Sequence, residues 1–181
     1  LRDGNPAEQA GARVRKARFG LAGKAFTYID FALSTQASTD GLEIADAWIG
    51  YRKDTLVGFV MGAHKVPFSR FALVGSDRGA LTERPMGVSA MAPYRQVGLT
   101  VMGTWSDLLL SYAVGVYNGF ERHQNFHEGY VQNAGMEGNR FSRLAYALRV
   151  AIEPLGAVGS DVADFDGGGL RIGKGAAAYY N

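Results

Sequence analysis

Hydrophobic and polar residues alternate with a period of two through eight segments of this chain, and a helical period over a full helix length is hard to find. The cleanest segment is "FSRLAYALRVAIE". There Leu144, Tyr146, Leu148, Val150 and Ile152 share one face, and Arg143, Ala145, Ala147, Arg149, Ala151 and Glu153 share the other. Residues 16–24 set Ala17, Phe19 and Leu21 against Lys16, Arg18 and Lys24. Residues 25–34 set Ile29, Phe31 and Leu33 against Tyr28, Asp30 and Ser34. Residues 44–52 set Ala45, Ala47, Ile49 and Tyr51 against Asp46, Trp48 and Arg52. Residues 56–64 set Val57, Phe59, Met61 and Ala63 against Gly58, Gly62 and His64. Residues 96–103 and 108–117 follow the same rule. Residues 170–180 fit worst, because Lys174 falls in phase with Leu170 and Ile172, which calls for a bulge or a strand end.

The connections alternate in length. Tight turns are expected at Gly23-Lys24, at "KDT" and at "TWSD", with longer loops at "TQASTDGLE", at residues 65–95 and at residues 119–140. The seventh connection, residues 154–169, is long where this scheme asks for a short one. Loops above about 20 residues are uncommon in compact domains and are often functional. Short turns on one side and long loops on the other describe an up-and-down meander, and also a transmembrane β-barrel. Strands of about 10 residues fit a tilted membrane-spanning strand. With the apolar face inward the chain is a soluble β-domain. With the apolar face outward it needs a membrane around it. The pattern leaves both directions open.

Composition narrows the chemistry. A formal net charge of +2 over 181 residues offers no global field for nucleic acid. There is no cysteine, so disulfides and thiolate metal sites are excluded. No run of about 18 apolar residues exists that would make a transmembrane helix. Gly stands at 25 residues and aromatics at 12%, which suits strands with tight turns and close backbone approach. The chain does not begin with Met and opens on "LRDGNPAEQAG". That opening reads as the inside of a loop, and the chain is expected to be a piece of a longer protein.

Three local patterns carry chemistry weakly. "GGLRIGKG" (168–175) approaches a phosphate-binding loop, but Gly175 stands where Ser or Thr is needed; a Gly-rich turn entering a strand is the plainer reading. His123 and His127 have i,i+4 spacing beside Glu121 and Glu128, yet sit in a polar loop. Asp161, Asp164 and Asp166 gather oxygen ligands without EF-hand spacing. No catalytic triad or carboxylate pair is legible, so neither a catalytic residue, a cofactor nor a resident metal is expected.

In order along the chain stand "VRKARFGLAGKAF", "IADAWIGYR", "GAHKVPFS", "SDRGALTER", "YRQVGLTVMG", "YAVGVYNG" and "ALRVAIEPLG". In this order, over roughly residues 13–156, they resemble the phosphate-selective porin O/P family of bacterial outer-membrane β-barrels. The resemblance implies one partial barrel domain over residues 1–181, all-β and antiparallel up-and-down, with about eight strands present of about sixteen, the porin range, a strand or more missing before Leu1 and the rest after Asn181. It implies an outer-membrane location, contact with lipid, a homotrimer or a larger assembly, and passive diffusion of small inorganic or organic anions, phosphate among them. It further implies a third outer loop, residues 65–95, that folds into the lumen. Constriction candidates there are Lys65, Arg70, Arg78 and Arg84. By face alone Lys16, Arg18, Lys24, Arg52, Arg143 and Arg149 point inward against Asp30, Asp46 and Glu153, six cations to three anions. Rings of Arg and Lys are how anion pores select. Lys24 and Arg52 sit at turns, where snorkelling to interfacial water is the plainer role. Strict alternation puts Lys65 in the outward phase at the rim, and Pro67, which lacks an N–H, ends the pairing. Two rivals are kept. One is a complete eight-stranded barrel serving as an anchor, which requires strand one to pair with strand eight. The other is a soluble β-domain binding a partner through its loops, which requires Leu144, Leu148 and Ile152 to pack inside.

Overall fold

A computed structural model describes residues 16–38, 41–74, 92–106, 109–118, 144–155 and 172–181. Eight strands form one sheet: β1 (Lys16–Ala25), β2 (Ile29–Ser38), β3 (Gly41–Arg52), β4 (Gly58–Lys65), β5 (Arg95–Trp105), β6 (Leu110–Asn118), β7 (Leu144–Ile152) and β8 (Lys174–Tyr180). Every neighbouring pair is antiparallel and the spatial order is the chain order. A four-residue helix, α1 (Arg70–Leu73), follows β4. Among the described residues no pairing joins β1 to β8, so the closed eight-stranded anchor lacks the contact it requires.

The apolar face is the outer one. Leu144, Leu148 and Ile152 are 46%, 47% and 43% exposed, the opposite of what the soluble rival requires. Phe19, Leu21, Leu33, Ile49, Phe59, Met61, Leu99, Val114 and Tyr146 are exposed with them, one band across β1–β7. So large an apolar surface is not maintained in water, and a bilayer accommodates it. At the short-turn end Tyr51 stacks on Phe59 at 5.4 Å and meets Tyr28 edge-on at 6.2 Å. Aromatic rings gather at that level because one end can be apolar and the other wet.

The sheet curls with its polar face concave. Gln96 on β5 donates to Tyr179 Oη on β8 at 2.8 Å. Three strand spacings of a flat sheet separate those strands by about 14 Å, so the direct bond reflects the curl.

The strand register differs from the sequence expectation at one end. "TQASTDGLE" reads as a long loop, but β2 runs on to Ser38 and β3 begins at Gly41, leaving residues 39–40 between them. This pair also carries a bulge. Ser34 pairs with Asp46 and Thr35 with Ile44, so Ala45 is the extra residue. Beyond it the phase inverts. Ile44 and Leu42 turn outward and Ala45 is buried, although unbroken alternation puts Ala45 on the outer face. Lys174 opens β8 opposite Ile152, so its awkward phase is that of a strand end.

Candidate functional site: the concave face and its inward segment

The stem of the long loop after β4 is closed by the register pair Lys65↔Arg95 and by one further bond, Val66 N–H to Tyr94 O at 3.0 Å. Pairing stops there because Pro67 cannot donate. The chain turns, with Phe68 N–H bonded to Val66 O at 2.9 Å, and enters α1. This segment lies against the concave face. Val66 is fully buried in a cluster with Tyr117, Ala145 and Ala147, and Phe68 and Tyr179 pack against that cluster. Pro67, Ala72 and Val74 are buried as well. Small side chains on the polar face leave room above them. At Ala145 and Ala147 they are the floor on which the segment rests, since larger side chains would occupy its place.

The segment's other support is a polar chain. Thr100 Oγ1 lies 2.6 Å from His64 Nε2, and Tyr117 Oη bonds Thr100 Oγ1. His64 Nδ1 lies 2.9 Å from Gly62 O. A carbonyl only accepts, so Nδ1 carries the hydrogen; in the neutral ring Nε2 then accepts from Thr100, and Thr100, its one hydrogen used, accepts from Tyr117. The order of donors is fixed from end to end. Tyr117 reaches Thr100 by lying flat over Gly115 and beside Gly98. A Cβ at Gly115 would meet Tyr117 Oη at 2.3 Å, and one at Gly98 would meet its Cδ1 at 2.4 Å. Gly115→Ala is therefore expected to displace the ring and cost about 1–3 kcal/mol, read as a lower urea midpoint in lipid vesicles. The same change made on top of Tyr117→Ala is expected to cost little.

Arg95 closes the stem on its other side. Its Nε and Nη2 hold Asp46 Oδ1 and Oδ2 at 2.9 and 3.0 Å, reaching across β4 to β3. Ser34 donates to the same carboxylate at 3.0 Å, and the Arg95 guanidinium lies 4.5 Å from the Tyr94 ring centroid. The face pattern in the sequence counts Asp46 among three inward anions and does not pair it with Arg95. The bidentate pair neutralises that anion internally. No sequence signal links the two across 49 positions; the presence of a buried-phase carboxylate was the available hint.

The predicted basic residues are not gathered in one place. Arg70 and Arg149 line a shared cavity of about 260 Å3, together with Phe68, Ser69, Glu153 and Lys174. Arg18 lies on the concave side of β1, 2.7 Å from Gln36 Oε1. Arg52 sits at the short-turn end against Met102 Sδ at 3.6 Å, and Lys24 lies 3.9 Å from Asp30 at its turn. Lys65 Nζ is turned onto the carbonyls of Leu73 and Val74 at 2.7 and 3.1 Å. Lys16 begins β1. Arg78, Arg84 and Arg143 lie outside the described residues, as do the side chain of Lys16, the histidine pair, the aspartate cluster and residues 168–171. Among the described residues no group of His, Asp and Glu is arranged to hold a metal.

A curled antiparallel sheet with an apolar outside, a polar inside and a loop segment laid on the inner wall defines the wall of a transmembrane β-barrel of the porin class. The family model described as "Phosphate-selective porin O and P" matches residues 2–162, and the chain belongs to that family. It is a family of bacterial outer-membrane channels rather than enzymes. No curated protein and no solved structure matches the chain.

Proposed function

We propose that the chain forms part of a water-filled outer-membrane pore that passes small anionic solutes by diffusion, as one subunit of a homotrimer. In this reading residues 66–74 narrow the lumen. Arg70 on the segment and Arg149 on β7 bias the narrowed passage toward anions. The carrying observation is the cavity between them, whose lining holds Arg70 and Arg149 against a single carboxylate, Glu153. Neutralising Asp46 internally strengthens that bias, because one of the three inward carboxylates no longer offsets it. Phosphate is one solute that such a passage suits; the arrangement serves any small anion.

The test is ion selectivity in planar bilayers. A unit charge about 5 Å from an ion in water is worth roughly 0.8 kcal/mol, about fourfold in local anion occupancy at low salt. Arg149→Gln is expected to lower the anion-to-cation permeability ratio by about that factor, and raising the salt is expected to shrink the difference. An unchanged ratio at low salt would remove Arg149 from the passage.

A further inference from the structure

We propose that Lys65 is the positioning residue of the constriction, a latch that holds residues 66–74 against the inner wall, and that it does not contact the permeating solute. The proposal rests on reading that segment as the constriction.

α1 is a single turn. Four residues do not sustain a helix by themselves, and the Ser69 side chain makes no cap bond at its start. The helix end leaves carbonyls with no partner within the helix. Lys65 Nζ donates to two of the oxygens there, those of Leu73 and Val74. A cation at a helix C-terminus also meets the negative end of the backbone dipoles. The latch thus joins the last residue of β4 to the far end of the segment, and the residues between are held as a closed loop.

The stem explains why Lys65 takes this path. Lys65 and Arg95 are opposite each other in the register, and like charges so placed repel. Each is drawn to its own anchor, Arg95 to Asp46 and Lys65 to the end of α1. The Tyr94 ring lies beside both, 5.7 Å from Lys65 Nζ and 4.5 Å from the Arg95 guanidinium. What the latch holds in place includes Ala72 and Val74, both buried, and Arg70, which lines the cavity with Arg149. The electrostatic filter is therefore assembled only while the segment is seated.

The chain has no cysteine, so a single introduced thiol reports on the segment cleanly. Ala72→Cys is made in the purified full chain in lipid vesicles, and its rate of reaction with a polar maleimide is measured with and without Lys65→Met. Charge-assisted bonds of this kind set an expected increase of about tenfold or more in labelling rate when Lys65 is lost. Lys65→Arg, which keeps a charged donor, is expected to restore most of the protection. In bilayers Lys65→Met is expected to pass larger neutral sugars and, because Arg70 leaves its place beside Arg149, to lower the anion-to-cation permeability ratio together with the rise in labelling. Equal labelling rates with and without Lys65 would overturn the latch. A shifted selectivity ratio at an unchanged labelling rate would also overturn it, by making Lys65 a charge that meets the solute. Heat-modifiable migration on gels verifies folding, and Lys65→Gln carries the same comparison if Lys65→Met does not fold. The labelling comparison is independent of conduction, so a non-conducting protein would refute the pore and leave the latch decided on its own.

Discussion

Arg95→Met is expected to destabilise the folded protein by about 3 kcal/mol and to loosen the stem of the long loop. Arg95 is almost fully buried and makes two parallel bonds to Asp46, whose own side chain is mostly covered. Removing the guanidinium leaves a carboxylate whose remaining side-chain hydrogen bond among the described residues comes from Ser34, in a place it cannot easily rehydrate. The loss is larger than that of a surface pair because the partner's charge stays behind. Asp46→Asn made together with Arg95→Met is expected to recover part of the loss, since no charge is then stranded. Urea unfolding in lipid vesicles, followed by tryptophan fluorescence, measures both. Equal midpoints for the single and double variants would mean that the buried charge is not what sets the cost.

Gly62→Ala is expected to cost roughly 2–6 kcal/mol, which at its upper end prevents assembly of a marginal barrel. Two penalties coincide. Gly62 has φ +117°, a conformation that side chains disfavour, and a Cβ there would lie 2.3 Å from Ala47 O and 2.9 Å from Trp48 Cα. Both are backbone atoms of β3, which cannot swing aside. The same turn of backbone presents Gly62 O to His64, so the polar chain through Thr100 to Tyr117 would be disturbed at its origin. Gly50→Ala is the comparison. Its nearest neighbour is a Val60 methyl at 3.3 Å, which can shift by a few tenths of an ångström. Heat-modifiable migration and the urea midpoint are expected to be near wild type for Gly50→Ala and lost or sharply lowered for Gly62→Ala.

Period-two alternation was a reliable guide wherever a strand is regular. β7 carries its five apolar residues outward as the sequence alone indicates, because a strand between lipid and polar interior leaves no freedom of phase. The guide failed at Ala45, where one extra residue inverts the phase, and a bulge leaves no mark in a hydropathy pattern. It failed again in "TQASTDGLE", whose polar residues look like a loop although much of the stretch is paired strand. The end of β4 at Pro67 is legible in the sequence, while an inward course for the loop follows only from the family resemblance. What could not be read was its seat, because the floor is made of Ala145 and Ala147 some 80 positions away. Lys65 shows the same limit. Alternation assigns its phase but says nothing of a flexible four-carbon side chain turning back onto carbonyls eight and nine residues ahead.

The most direct test of the central claim is the reversal potential of the purified protein in a planar bilayer under a KCl gradient. A discrete, steady conductance with a reversal potential on the chloride side is the expected result. A reversal potential on the potassium side would contradict the anion bias assigned to Arg70 and Arg149, and an absence of any conductance would contradict the pore itself.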